Sequence, residues 1–80
     1  MLKENELLKS KVKNIYSELV RSGDFASAVL ILRFLRKGEI TLGLSDACMK
    51  VEDILNELGC ILKYTNRYYL VRAYLMSKNN

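Results

Sequence analysis

Eighty residues, 50% hydrophobic and 28% charged, carry thirteen Lys and Arg against nine Asp and Glu, a net charge of +4. That composition fits a globular domain better than a disordered tail, and the length suits one domain at most. A domain this short buries only about 60% of its unfolded surface, so a lone protomer is marginally stable and dimerisation is expected. The basic balance favours polyanionic partners without demanding them.

From Leu2 to Arg21 there is no Gly or Pro, and Leu, Lys and Glu abound, which predicts a helix. Leu8, Val12, Ile15 and Leu19 recur at steps of four, three and four, a seam that continues back through Asn5 and Met1. Such a seam packs on another helix and serves as the expected dimerisation surface. Tyr16 and Val20 widen the stripe, as in a helix that covers a globular domain, and the two uses can coexist.

Ser22-Gly23 ends this helix, and Asp24 is suited to cap the next, Phe25 to Lys37. Phe25, Ala28, Val29, Leu32 and Leu35 or Arg36 fall at helical spacing, while Leu30, Ile31 and Phe34 extend the apolar surface around much of the cylinder. This is the expected central core helix. Arg33, Arg36 and Lys37 cluster where the helix carbonyls point, which favours a dipole role over a phosphate role.

Gly38 stops the helix and a β-prone Glu39-Ile40-Thr41 follows. Ser45 is an N-cap candidate, and Val51, Ile54, Leu55 and Leu58 predict an amphipathic third helix over Ser45 to Leu58, closed by Gly59. Cys60 to Thr65 and Tyr68 to Met76 are rich in β-branched and aromatic residues, with Asn66 suited to a tight turn between them, so a hairpin is expected. Tyr69, Val71, Ala73 and Leu75 alternate with Tyr68, Leu70, Arg72 and Tyr74, one set for the core and one for solvent. Residues 71–77 also fit the start of a short fourth helix, and residues 77–80 read as a frayed tail. The expected fold class is mainly α with a C-terminal β-hairpin, divided into an N-terminal amphipathic helix (1–22) and a helical domain with a hairpin (23–76).

No apolar run reaches the roughly 18 to 20 residues that cross a bilayer, and Met1-Leu2-Lys3-Glu4-Asn5-Glu6 lacks the basic-then-apolar order of a secretion signal. A cytoplasmic protein with no membrane partner is expected. Without histidine, Cys48 and Cys60 cannot form a four-ligand zinc site within one chain; one or both read as small core residues in preference to a Cys-only site shared across a dimer, with their pairing left open. No activated Ser or Cys neighbourhood and no Gly-rich phosphate loop is present, so no catalytic residue, no metal and no cofactor is expected.

The run Leu32-Arg33-Phe34-Leu35-Arg36-Lys37-Gly38-Glu39-Ile40-Thr41, then Gly43-Leu44-Ser45, then Val51, Ile54, Leu55 and Leu58-Gly59-Cys60-Ile61, resembles the winged helix-turn-helix family over residues 25–75. That resemblance implies a helix laid in the major groove of duplex DNA and a wing on the adjacent backbone, commonly from a two-fold dimer. Only Leu42-Gly43-Leu44 separates the strand from the recognition helix, where family members place a further helix. Either that helix is reduced to a turn, or Ser45 to Met49 forms it and the recognition helix starts at Lys50. The segment from Ser45 to Leu58 carries Asp46, Glu52, Asp53 and Glu57 against Lys50 alone, so more of the positive charge must come from elsewhere.

The leading expectation is a DNA-binding transcriptional regulator or accessory factor acting as a homodimer. Lys50 and Asn56 would approach bases while Lys63, Arg67 and Arg72 neutralise phosphates, among Tyr64, Tyr68, Tyr69 and Tyr74. The alternative is a non-enzymatic protein-interaction subunit of a larger complex, docking through the acidic helix.

Overall fold

A computed structural model describes residues 4–65 and 70–78. Helix α1 (Glu4–Arg21) ends in a Schellman turn: Gly23 takes φ +81°, the Gly23 N–H donates to the Val20 carbonyl and the Asp24 N–H to the Leu19 carbonyl. Asp24 then caps α2 (Phe25–Lys37), its carboxylate accepting from the Ser27 N–H. Gly38, at φ +78°, ends α2 in the left-handed conformation that its missing Cβ permits, and its carbonyl accepts from the Leu75 N–H. The helix exit is thereby tied to the far end of the chain.

The strand β1 (Glu39–Leu42) is followed directly by α3 (Asp46–Glu57), whose N-cap Ser45 accepts from the Cys48 N–H. No separate helix stands between them, and α3 runs unbroken through Lys50. Gly59 turns the chain into β2 (Cys60–Tyr64), and β3 (Val71–Ser77) returns beside it. Residues 71–77 are therefore strand. The expected hairpin forms, but it is part of a three-stranded antiparallel sheet of order β1-β3-β2. The predicted turn at Asn66 and Arg67, and the tail at residues 79–80, lie outside the described residues.

Pairing places Glu39 opposite Tyr74 and Thr41 opposite Arg72 on one side of β3, and Ile61 opposite Tyr74 and Lys63 opposite Arg72 on the other. Side chains alternate, so Leu42, Val71 and Ala73 enter the core while Thr41, Lys63 and Arg72 stay exposed on the outer face. The helices cover the inner face. Phe34, Ile31, Val12, Val51, Leu55 and Cys60 are wholly buried there. Burial also pushes the Cys60 thiol up to about 11, and both cysteines are free. Among the described residues no helix is long and apolar enough to cross a membrane.

Two expectations about helix faces are corrected. In the seam proposed for dimerisation, Leu8, Val12 and Leu19 are 0–6% exposed and Ile15 packs against them, all within the protomer's own core. Heptad spacing reports a partner helix without saying whose; here it is α2, with β3 beside it. Asn5, on the same seam, accepts from the Ser77 N–H at 2.9 Å and anchors the end of β3. In α2 the buried stripe is Ser27, Ala28, Ile31 and Phe34, which leaves Phe25 62% and Val29 49% exposed. With apolar residues around most of the cylinder, the bond from Leu75 to Gly38 and the pairing of β1 on β3 fix its rotation.

Candidate nucleic-acid interface

Lys50 and Asn56, the two α3 residues expected to approach bases, are both engaged within the protein. Lys50 Nζ lies 2.6 Å from Asp24 Oδ2, the one ion pair among the described residues. It bridges the start of α2 to α3, and Lys50 first, then Ser27, holds the Asp24 carboxyl below its usual range. Asn56 Oδ1 accepts from Lys78 Nζ at 2.9 Å. Glu52 accepts from the Tyr64 hydroxyl at 3.1 Å, and partial desolvation together with that carboxylate raises the Tyr64 phenol. Among the described residues, the unpaired charge that α3 presents outward is carboxylate, Asp46, Asp53 and Glu57, beside the exposed Met49, Asn56 and the Asp24-bound Lys50. A phosphate backbone is repelled by such a face.

Lys63 and Arg72 are brought together on the outer sheet face, directly opposite each other across β2 and β3. Like charges facing across a sheet oppose one another, and an anion bound between them would offset that. Arg72 Nε donates to Thr41 Oγ1 at 3.3 Å, which aims the guanidinium along the sheet. Lys63 Nζ lies 5.6 Å from the centroid of the Tyr74 ring, a cation–π contact that holds the ammonium above the sheet.

Arg72 borders two concavities. One, of about 290 Å³ along the free edge of β1, is lined by Arg33, Lys37, Glu39, Ile40, Thr41 and Arg72. The other, of about 450 Å³, is lined by Thr41, Lys63, Tyr64, Thr65, Leu70, Arg72 and Tyr74. Four cations thus border one continuous stretch of surface, with Glu39 the single carboxylate among the lining residues. Sequence reasoning missed Arg33 and Lys37, which it assigned to the helix dipole. Their i, i+4 spacing placed them on one helix face, but only the docking of β1 shows that this face adjoins the sheet.

Of the five residues predicted to contact DNA, Lys63 and Arg72 share this surface, Lys50 and Asn56 do not, and Arg67 lies outside the described residues. Among the described residues no three carboxylate or thiol groups converge as a metal site would require. The arrangement offers positive charge, hydrogen-bond donors and aromatic surface, which is binding chemistry. No family model, curated protein or solved structure matches the chain, so the ligand of this surface is argued from its own geometry.

Proposed function

We propose that this protein binds DNA through the outer face of its sheet and the last turns of α2, with Arg33, Lys37, Lys63 and Arg72 on phosphates. The observation that carries the reading is the facing pair Lys63 and Arg72, two cations in register with no carboxylate partner among the described residues. Phosphate contacts position a duplex without reading it, so binding is of low sequence preference and suits an accessory factor or a regulator assisted by other readers. The winged-helix-like arrangement is retained as a fold proposal, with the hairpin sheet, and not the acidic α3, meeting the DNA.

Gel retardation with a random duplex at low salt tests this. Four phosphate contacts give a slope of log K against log salt of about −3.6. No retardation at about 100 micromolar protein, the weak end of ordinary non-specific affinity, would remove the proposal. The second reading, a protein-interaction subunit, is favoured by the exposed Leu44 and Met49 beside the carboxylates of α3. It predicts binding to a basic protein partner with the sheet face left open.

A further inference from the structure

Phe25, Val29, Leu32 and Arg36 form a line along α2 at steps of four, three and four. Phe25 is 62% and Val29 49% exposed, Leu32 is half-buried and Arg36 is exposed. At about 100° per residue the four positions share a stripe about 60° wide, and the buried Ser27, Ala28, Ile31 and Phe34 occupy another sector of the helix. Arg33 and Lys37, which line the groove at β1, lie roughly 70–110° round the helix from the middle of the stripe. The stripe and the proposed DNA surface are therefore separate flanks of α2.

Steps of four, three and four read the same in both directions. A second α2 laid antiparallel thus matches position for position: Phe25 against Arg36 of the second copy, Val29 against its Leu32, and the reverse. The apolar pairs fall in the middle. Each Arg36, which makes no ion pair among the described residues, comes to the Phe25 ring of the other copy, a cation–π partner. The two Arg36 side chains then stand eleven positions apart along the axis, about 16 Å, which exceeds a Debye length of about 8–10 Å and leaves their repulsion screened. Antiparallel helices also align their macrodipoles favourably. A parallel pairing would instead set Arg36 on Arg36, and the outward face of α3 would bring Asp46, Asp53 and Glu57 against apolar positions.

We infer that α2 is a homodimer interface, on which a second copy of this chain docks antiparallel through Phe25, Val29, Leu32 and Arg36. One helix pair buries less than the roughly 1,200 Å² of a standard interface, so the dimer is weak and forms by mass action. The inference goes beyond the DNA reading and stands without it, since the flank that carries Arg33 and Lys37 stays open in the dimer.

The experiment is sedimentation equilibrium of the full chain from about 10 micromolar to about 1 millimolar, with amide chemical shifts followed over the same dilution. Salt of about 0.3 M screens the flanking cations of the two copies from each other. The mass is expected to rise from 9.2 kDa toward twice that value, with shift changes at Phe25, Val29, Leu32 and Arg36. Val29→Glu, at a half-exposed site within the stripe, should hold the mass at 9.2 kDa and leave the thermal midpoint of the dilute protein unchanged. Arg36→Ala removes two cation–π contacts from the dimer and should weaken association about five- to thirtyfold, while Arg36→Lys retains most of it. A mass fixed at 9.2 kDa throughout would overturn the inference. So would a dimer undiminished by Val29→Glu, shift changes confined to α1, α3 or the β1 edge, or a mass that climbs past two copies, the mark of a head-to-tail contact. A chain that stays monomeric yet binds phosphatidylglycerol vesicles, and loses them on Val29→Glu, would assign the stripe to a lipid surface and overturn it as well.

Discussion

Replacing Lys63 by Glu separates binding from folding at one position. In the native sheet Lys63 faces Arg72 and stands over the Tyr74 ring. Lys63→Glu turns a like-charge cross-strand pair into an opposite-charge one, a gain of about 0.2–1 kcal/mol at an exposed, screened site. It also removes the cation–π contact, a loss of about 0.5–1 kcal/mol. The two nearly cancel, so the thermal midpoint should stay within about 4 °C of the native value, given about 4–8 °C per kcal/mol for a domain of this size. Binding has no such compensation, because a phosphate loses a cation and meets a carboxylate. Salt-dependent anisotropy with a random duplex should show the slope falling from about −3.6 to about −2.7 or shallower, with affinity reduced alike for every sequence. An unchanged slope with the fold intact would show that Lys63 makes no phosphate contact and would refute the reasoning. A collapse of the thermal midpoint would show instead that the pair is structural.

The rotation of α2 predicts a sharp contrast between its two phenylalanines. Phe34→Ala, at a wholly buried site, should cost about 3–5 kcal/mol by urea denaturation, whereas Phe25→Ala, at a site 62% exposed, should cost less than about 0.5. Gly59→Ala should destabilise by about 1–2 kcal/mol through its φ of +88° alone, since an added Cβ meets nothing within 4 Å; a neutral result would mean that the turn relaxes. The Asp24 carboxyl is depressed in the folded protein, so its contribution is present above its unfolded value of 3.8 and is lost as pH falls through the lower folded value. Lys50→Met removes the largest cause of that depression. Thermal midpoints measured from about pH 5 to about pH 2 should therefore fall less for this variant than for the native chain, and parallel curves would show the ion pair to be inert.

What the sequence shows and what it hides divide along local and non-local lines. The boundaries of α2 and the caps Asp24, Ser45, Gly23 and Gly38 were legible because each acts on backbone groups within a few positions of itself. The alternation of Val71 and Ala73 with Arg72 and Tyr74 was legible for the same reason. The heptad seam of α1 was visible, but a repeat cannot say that its partner belongs to the same chain. The buried face of α2 was not legible, because Phe25, Val29 and Leu32 make as good a stripe as Ile31 and Phe34 until β1 and β3 fix the rotation.

The candidate site divides the same way. Lys63 and Arg72 stood out as cations on a β arm, and sheet pairing sets them side by side. Lys50 and Asn56 looked available because their partners, Asp24 and Lys78, lie 26 and 22 positions away. Arg33 and Lys37 were taken for dipole partners, since nothing in their own helix announces that β1 will dock beside them. The membership of β1 in the sheet is thus the single non-local fact that converts a helix end and a hairpin into one surface.

The most direct test of that surface is an amide chemical-shift titration of the full chain with a short oligonucleotide at low salt. The account predicts shifts concentrated at Thr41, Lys63, Arg72 and Tyr74 and at the end of α2 around Arg33 and Lys37, with residues 46–57 of α3 unmoved. Shifts centred on α3, with the outer sheet face silent, would contradict it.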